Sequence, residues 1–216
     1  ALDAYRAELD RIETGAPPRT ALFEHLAEVI AAYRLPLQPF RDLLDAFSQD
    51  VVKTRYASFA EVMDYCRRSA DPVGRLMLHL YGQATPVNMQ QSDAICSALQ
   101  LVNFWQDVAI DWRKDRVYLP QDDLARFGVT EAQIAAGETD EAWRALMDFE
   151  VGRARAMLAR ALPGRIGWEI RMILQGGLRI LEKIGHVRGD VFRRRPVLGP
   201  LDWPLMLARA ALNRLP

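Results

Sequence analysis

The stretch of sequence that decides the fold is residues 92–112, which read SDAICSALQLVNFWQDVAIDW. At about 100° per residue, its apolar side chains are spread around the whole circumference of a helix. A helix that is apolar on every side belongs in a protein core. We therefore predict a long buried helix from Ser92 to about Trp112, and this helix organises the rest of the fold.

Four polar side chains nevertheless form a narrow stripe along this helix. Projected down the helix axis, they fall within roughly 80° of one another: Gln100, Asn103, Asp107 and Asp111. Two carboxylates one turn apart in a core repel each other unless a cation lies between them or one is protonated. Oxygen ligands without His or Cys favour Mg²⁺, so we predict a magnesium site on Asp107, Asp111 and Asn103. The alternative is a solvated helix face.

Basic residues that suit a phosphate follow this helix in the sequence. Mg²⁺ is usually held by a few carboxylates together with phosphate oxygens, so we expect an anionic ligand beside the metal. The candidates to bind that ligand are Arg116, Tyr118, Arg194 and Arg195. The arginine run at residues 193–195 is equally consistent with a solvated cluster.

Helical periodicity dominates the rest of the chain and predicts an all-α fold. Further helices are expected over residues 2–13, 20–33, 75–81, 139–161 and 165–184, from Pro39, from a capping box at Ser58 and from another at Thr130. Pro163 and Gly164 separate the last two long helices. No linker is long enough to divide the chain, so we expect residues 1–216 to form one domain.

The charges are unevenly distributed, although the formal net charge is zero. Residues 1–150 carry 15 basic and 24 acidic side chains and residues 151–216 carry 13 and 4, which gives net charges of −9 and +9. The basic residues are spread through apolar helices, which argues against nucleic acid as a partner. A joint site for a metal and an anion, or simple attraction between the two regions, explains the asymmetry.

The sequence favours a cytoplasmic protein. No stretch approaches the roughly 18 to 20 apolar residues of a membrane-spanning helix, and the N-terminus lacks the pattern of a signal peptide. The two cysteines, Cys66 and Cys96, are too few for a disulfide scaffold, so we expect buried thiols in a reducing compartment. The amphipathic segment Leu201–Leu215 either packs on neighbouring helices or contacts the inner membrane peripherally.

Two motifs resemble the squalene/phytoene synthase family of all-α isoprenoid synthases. The residues NFWQDVAID at 103–111, followed by RVYLP at 116–120, resemble its second aspartate-rich motif with the downstream arginine and tyrosine. The resemblance extends from about residue 33 to residue 197. It implies a single isoprenoid synthase domain with helices around a central cavity and Mg²⁺ as cofactor. It also assigns six residues to substrate binding: Arg55, Tyr56, Arg116, Tyr118, Arg194 and Arg195.

Within the family, residues 103–108 are similar to the bacterial hydroxysqualene synthase branch. Most other branches carry arginine where this chain has Gln106. The resemblance implies conversion of presqualene diphosphate and water to hydroxysqualene and diphosphate, in squalene or hopanoid formation. Its candidate catalytic residues are Gln100, Asn103, Gln106, Asp107 and Asp111, and the apolar walls are expected from Phe104, Leu101, Met77 and Leu78.

Two alternatives remain open at this stage. One is a presqualene diphosphate or phytoene synthase, which joins two prenyl diphosphates, and the other is a non-catalytic helical assembly protein. The family's first aspartate-rich motif does not occur in residues 1–216, which leads us to expect an N-terminally truncated chain. The oligomeric state has no signature in the sequence.

Overall fold

The computed structural model describes residues 1–160 and 168–212, and these residues are mainly helical, which confirms the all-α class. The helices are α1 Leu2–Glu13, α2 Ala21–Tyr33, α3 Gln38–Val52, α4 Phe59–Ser69, α5 Asp71–Leu80, α6 Pro86–Gln106, α7 Val108–Trp112, α8 Gln121–Phe127, α9 Glu131–Ala136, α10 Glu141–Arg160, α11 Trp168–His186 and α12 Asp202–Ala211. Within the described ranges, β pairing is limited to an isolated bridge between Arg55 and Val117.

Local sequence signals explain several helix ends. The capping box at Thr130 is formed in both directions, because its hydroxyl accepts from the Gln133 amide and the Gln133 side chain accepts from the Thr130 amide. The box predicted at Ser58 is half formed. The Glu61 amide donates to the Ser58 hydroxyl at 3.4 Å, but the Glu61 carboxylate accepts from the Ala57 amide at 2.6 Å. The predicted break at Pro163 and Gly164 lies outside the described residues.

The central helix differs from the prediction at both ends. It begins at Pro86, six residues before the predicted start at Ser92, because a proline is well tolerated in the first turn of a helix. It ends at Gln106, and the predicted continuation to Trp112 is a separate short helix, α7.

The chain divides into two compact units. The first comprises Ala1–Lys53 and Met63–Cys96, and the second comprises Thr54–Val62 and Ser97–Pro216. The single domain that the sequence led us to expect stays a prediction.

The first unit has a small apolar core where α1, α2 and α3 meet. Leu9, Phe23 and Leu44 are its buried centre, and partly buried apolar side chains surround them. Arg41 on α3 reaches both Asp10 and Glu13 of α1 at 2.7 Å, which holds these two helices together at their surface.

The second unit contains a larger core and every predicted site residue. Trp105, Trp143 and Leu101 are among its fully buried side chains. Backbone hydrogen bonds join residues 54–57 to residues 117–122, with Val117 donating to Thr54 and Gln121 to Tyr56, each at 2.9 Å. This pairing fixes the backbone of Arg55 and Tyr56 beside the loop that follows α7.

Helix α12 packs through one face and exposes the other. Met206 and Ala210 are buried, whereas Trp203 and Leu207 are exposed. Packing on neighbouring helices is therefore observed for one face, while the membrane contact stays a prediction. The predicted segment extends to Leu215, but residues 213–216 lie outside the described part. Among the described helices, none combines the length and apolar character that crossing a bilayer requires.

Candidate active site

The predicted polar stripe crosses the junction between α6 and α7. Asp107 stands between the two helices, with φ −107° and ψ 14°. Its amide still donates to the carbonyl of Asn103 at 2.9 Å, and the amide of Asp111 donates to the carbonyl of Asp107 at 2.8 Å. The three side chains therefore keep a spacing of one helical turn, despite the break.

Asp107 is paired with an arginine that is distant in sequence. The Nε of Arg195 donates to Oδ1 of Asp107 at 2.6 Å, with side-chain exposures of 44% for the arginine and 27% for the aspartate. This hydrogen bond raises the pKa of the Arg195 guanidinium above its ordinary value. The basic C-terminal region thus meets the aspartate-rich motif directly, as the charge asymmetry suggested.

Asp111 is more enclosed than Asp107, with a side-chain exposure of 15%. Burial raises the pKa of its carboxyl, the charge of Lys114 opposes that rise, and the nearby charge of Asp107 adds to it. Lys114 is 3.8 Å away, which is a weak ion pair. A cation between the two aspartates would remove the repulsion between them.

An apolar cavity of about 610 Å³ lies beside this motif in the second unit. Its wall is formed by residues of α6 (Leu99, Val102, Asn103 and Gln106), of α11 (Met172, Ile173, Gly176, Gly177 and Ile180) and of the C-terminal region (Val197, Leu198, Trp203 and Met206). The size is typical of a small-molecule site. Of the predicted catalytic residues, Asn103 and Gln106 line this cavity, whereas Gln100, Asp107 and Asp111 are outside its lining.

The segment 195–198 connects the aspartate motif with the cavity. Arg195 pairs with Asp107. The carbonyl of the next residue, Pro196, accepts a hydrogen bond from the side-chain amide of the buried Gln106. Val197 and Leu198 then line the cavity. Gln106 therefore lies where the cavity and the charged motif meet.

The aromatic residues of the motif form a stack in the core. The rings of Phe104 and Tyr118 are nearly parallel, with centroids 3.8 Å apart. The ring of Tyr56 also stacks on Tyr118, with centroids 5.5 Å apart. All three are buried. The roles of Tyr56 and Tyr118 in substrate binding stay predictions.

Phe104 and Leu101 do not form the cavity wall that the sequence led us to expect. Both are buried in the core of the second unit, because they project from other sides of α6 than Asn103 and Gln106. Met77 and Leu78 belong to the first unit, where Met77 is exposed. The part of the wall that the sequence analysis did not predict comes from α11 and the C-terminal region. The sequence feature that could have indicated it is the row of small and apolar residues along α11.

Arg55 is held by carboxylates rather than facing open space. Its guanidinium makes two hydrogen bonds to Glu131, at 2.6 and 2.9 Å, and one to the Asp115 carboxylate at 2.9 Å. It also donates to the Asp115 carbonyl and lies over the ring of Trp112. These contacts describe a structural cluster, and a direct role of Arg55 in substrate binding stays a prediction.

Two further residues were predicted to bind the anion, Arg116 and Arg194. The amide of Arg116 donates to the carbonyl of Asp111 at 2.9 Å, which places Arg116 directly after the second aspartate. Arg194 is exposed on the loop that precedes Pro196. The anion-binding roles of both arginines stay predictions.

The donor set around Asp107 suits Mg²⁺ shared with a phosphate. Within residues 1–160 and 168–212, no group of three or more His, Cys, Asp or Glu is arranged to hold a metal by itself. Mg²⁺ keeps several waters and needs only one or two carboxylates beside phosphate oxygens. Asp107 already accepts a cationic group, the Arg195 guanidinium. The residues therefore fit the predicted metal, whose binding stays a prediction.

Comparisons with known proteins agree on one family. The family model described as squalene/phytoene synthase matches residues 1–202. A 15-cis-phytoene synthase of Synechococcus elongatus is 32% identical, over 90% of this chain and 68% of its own length. A phytoene synthase of Arthrospira platensis is 35% identical, over 90% of this chain and 69% of its own.

A solved structure extends this likeness to the fold. The squalene synthase HpnC from Alicyclobacillus acidocaldarius superposes with a TM-score of 0.80 and 36% identity, over 87% of this chain and 73% of that one. The helices, the aspartate motif and these matches lead to the same conclusion: the chain belongs to the squalene/phytoene synthase family.

Proposed function

We propose that the protein containing this chain converts presqualene diphosphate and water into hydroxysqualene and diphosphate, using Mg²⁺. Members of its family are isoprenoid synthases that act on isoprenoid diphosphates. The observation that carries the narrower proposal is Gln106. This neutral, buried side chain lies between the apolar cavity and Asp107.

The charge at position 106 bears on how many diphosphates the site can hold. Gln106 stands where, by the resemblance described above, diphosphate-condensing relatives carry arginine. Two diphosphates require more positive charge than one, and a carboxamide binds a phosphate oxygen or a water without supplying charge. A site with glutamine here is therefore better suited to a single diphosphate.

The leaving group would be bound at the Asp107 end of the cavity. Asn103, Asp107 and Asp111 would hold Mg²⁺, which would neutralise the charge that develops on the diphosphate as its C–O bond breaks. Arg195 already lies at this end and can donate to a phosphate oxygen in place of Asp107. Its exposure leaves room for that change of partner.

The cavity would protect the carbocation that remains. Its wall is apolar apart from Asn103 and Gln106, so it would offer the rearranging cation few groups to react with. Asn103 and Gln106 place their carboxamides on this wall, where they can hold the one water that captures the cation. The hydrogen bond to Pro196 fixes the orientation of the Gln106 amide. Gln100, outside the lining, stays a third candidate for this role.

A second candidate function is the condensation of two prenyl diphosphates to presqualene diphosphate or phytoene. The names of the curated relatives favour it, because several of them are phytoene synthases. It predicts a different substrate from the first proposal, so the two are separable by experiment.

The test offers each substrate separately and identifies the products by mass spectrometry. We expect hydroxysqualene from presqualene diphosphate with Mg²⁺ and without a reductant, and no product from farnesyl diphosphate alone. Presqualene diphosphate or phytoene formed from prenyl diphosphates would establish the second candidate instead. No product from any substrate, measured on the complete protein that contains this chain, would favour the non-catalytic assembly protein.

A further inference from the structure

Two consecutive glycines, Gly176 and Gly177, form part of the cavity wall on α11. They face different neighbours. A Cβ added to Gly177 would lie 2.6 Å from Cδ2 of Leu99, so this glycine allows α11 to pack closely against α6. A Cβ added to Gly176 would lie 3.6 Å from both Leu198 and Met206, which is an ordinary contact distance.

A Cβ at Gly176 therefore fits without displacing its neighbours, and both neighbours line the cavity. Side chains of a helix lean towards its N-terminus, which from Gly176 is the direction of Met172 and Ile173. Both of these residues line the same cavity. A larger residue at position 176 would consequently fill cavity volume, and the absence of a side chain there keeps it open.

The glycines and the charged motif meet α6 at different positions. Leu99, which Gly177 approaches, precedes Asp107 by eight residues, or about 12 Å along a helix. One end of the cavity is thus marked by Gln106 beside Asp107, and the other by Leu99 with the two glycines. A chain held by a polar head near Asp107 would extend its apolar end towards the glycines.

We propose that Gly176 determines the length of the hydrocarbon chain that this cavity accepts. This inference rests on the proposed function, because it takes the Asp107 end as the position of the polar head group. Gly176 is a specificity-determining residue in this account, and it has no part in the chemical step.

The experiment measures the binding of three linear isoprenoid alcohols, geraniol, farnesol and geranylgeraniol, by titration calorimetry. In Gly176→Leu we expect the affinity for geranylgeraniol to fall at least about tenfold, since losing contact with even two methylene groups has that effect. The affinity for geraniol should change less than about twofold. Gly176→Ala, which meets only ordinary contacts, should give a smaller loss that is again confined to the longest alcohol.

Gly185 provides a matched control on the same helix. It is exposed, and a Cβ added there would have no neighbour within 4 Å. Gly185→Ala should leave the affinities for all three alcohols unchanged. If Gly176→Leu does not fold, Gly176→Ala and the control still decide the question.

Equal losses for all three alcohols, or no loss for any, would overturn the proposal. Because the alcohols carry no diphosphate, this result is independent of turnover. A length-dependent loss together with inactivity towards every diphosphate would refute the proposed function and leave the assignment of Gly176 intact.

Discussion

Arg55 and Arg195 are assigned to the same anionic ligand by the sequence motifs, but their surroundings differ. Arg55, with Trp112, Asp115 and Glu131, forms what we term the Arg55 cluster. In it, two carboxylates, two carbonyls (of Thr54 and Asp115) and an aromatic ring surround one guanidinium. Among the residues that the structure describes, Arg195 has one ion-pair partner, Asp107, and its side chain is nearly half exposed.

The difference separates a structural arginine from one that can change partners. Releasing Arg55 would leave Glu131 without its bidentate partner, which makes such a movement unfavourable. Releasing Arg195 breaks one hydrogen bond, and a phosphate oxygen would restore it. We therefore expect substitutions near Arg55 to change stability and substitutions around Asp107 to change activity.

The largest effect is expected from Asp107→Asn. This change removes a charge that would hold the metal at the leaving group, so turnover should fall a hundredfold or more, which corresponds to about 3 to 4 kcal/mol. The fold should survive. Steady-state kinetics at saturating Mg²⁺, combined with thermal unfolding, measure both quantities.

Asp115→Asn is the matched control for that substitution. Asp115 is an exposed member of the Arg55 cluster, so its loss should leave turnover within about twofold. Unchanged turnover in Asp107→Asn, or an equal fall in the control, would contradict the distinction between the two regions.

Arg195→Gln should have the next largest effect. The proposed phosphate contact of the guanidinium is charge-assisted, and its loss should reduce kcat/KM about tenfold. The melting temperature should hardly change, because the pair with Asp107 is partly exposed to solvent. A clear loss of stability with normal kinetics would assign Arg195 to the structural class instead.

Arg55→Gln should show the opposite pattern. Its partly buried bonds to Glu131 are lost, so the free energy of unfolding should fall by about 1 to 2 kcal/mol. Arg67→Gln, which removes an exposed pair with Asp64, should cost less than about 0.5 kcal/mol. Urea unfolding measures the free energy of unfolding of both variants. Equal losses of stability in the two would show that the Arg55 cluster contributes no more than an exposed ion pair.

The last prediction concerns pH dependence and another buried charge cluster, around Arg153. Burial raises the pKa of the Glu150 carboxyl to about 8, against the opposing charge of Arg153 and with help from a hydrogen bond to Asp123. The folded state thus keeps a proton that the unfolded chain has lost above its ordinary pKa of 4.5. Stability should therefore fall as the pH rises from about 4.5 to about 8, by at most about 1.4 kcal/mol per pH unit.

Glu150→Gln should remove this part of the pH dependence. Asp148→Asn, at an exposed carboxylate on the same helix, should keep it. Urea unfolding at pH 6 and at pH 7.5 measures the slope for each protein. A slope in Glu150→Gln equal to that of the unchanged chain would show that Glu150 does not titrate in this range.

The features of the fold that could be predicted from the sequence depend on residues within one or two helical turns of each other. The bounds of α1 and the capping box at Thr130 agree with the sequence, because each depends on neighbouring residues. The i, i+4 spacing of Asn103, Asp107 and Asp111 could be predicted from the sequence in the same way. The start of α6 was placed too late, since the polar residues before Ser92 conceal a helix that begins with Pro86.

Contacts between distant residues were the part that sequence patterns could not supply. Arg55 and Glu131 are 76 positions apart, and Asp107 and Arg195 are 88 positions apart. The distinction between a fully bonded and a singly bonded arginine therefore depends on the tertiary structure. The same holds for Gly176, whose neighbours Leu198 and Met206 come from the C-terminal region.

Manganese binding tests the central claim, that the Asp107 end of the cavity is a cation-dependent anion site. Electron paramagnetic resonance would follow Mn²⁺, as a substitute for Mg²⁺, in the presence of inorganic pyrophosphate. We expect Mn²⁺ binding that weakens at least about tenfold in Asp107→Asn and is unchanged in Asp115→Asn. Equal Mn²⁺ binding by the unchanged protein and by Asp107→Asn would contradict it.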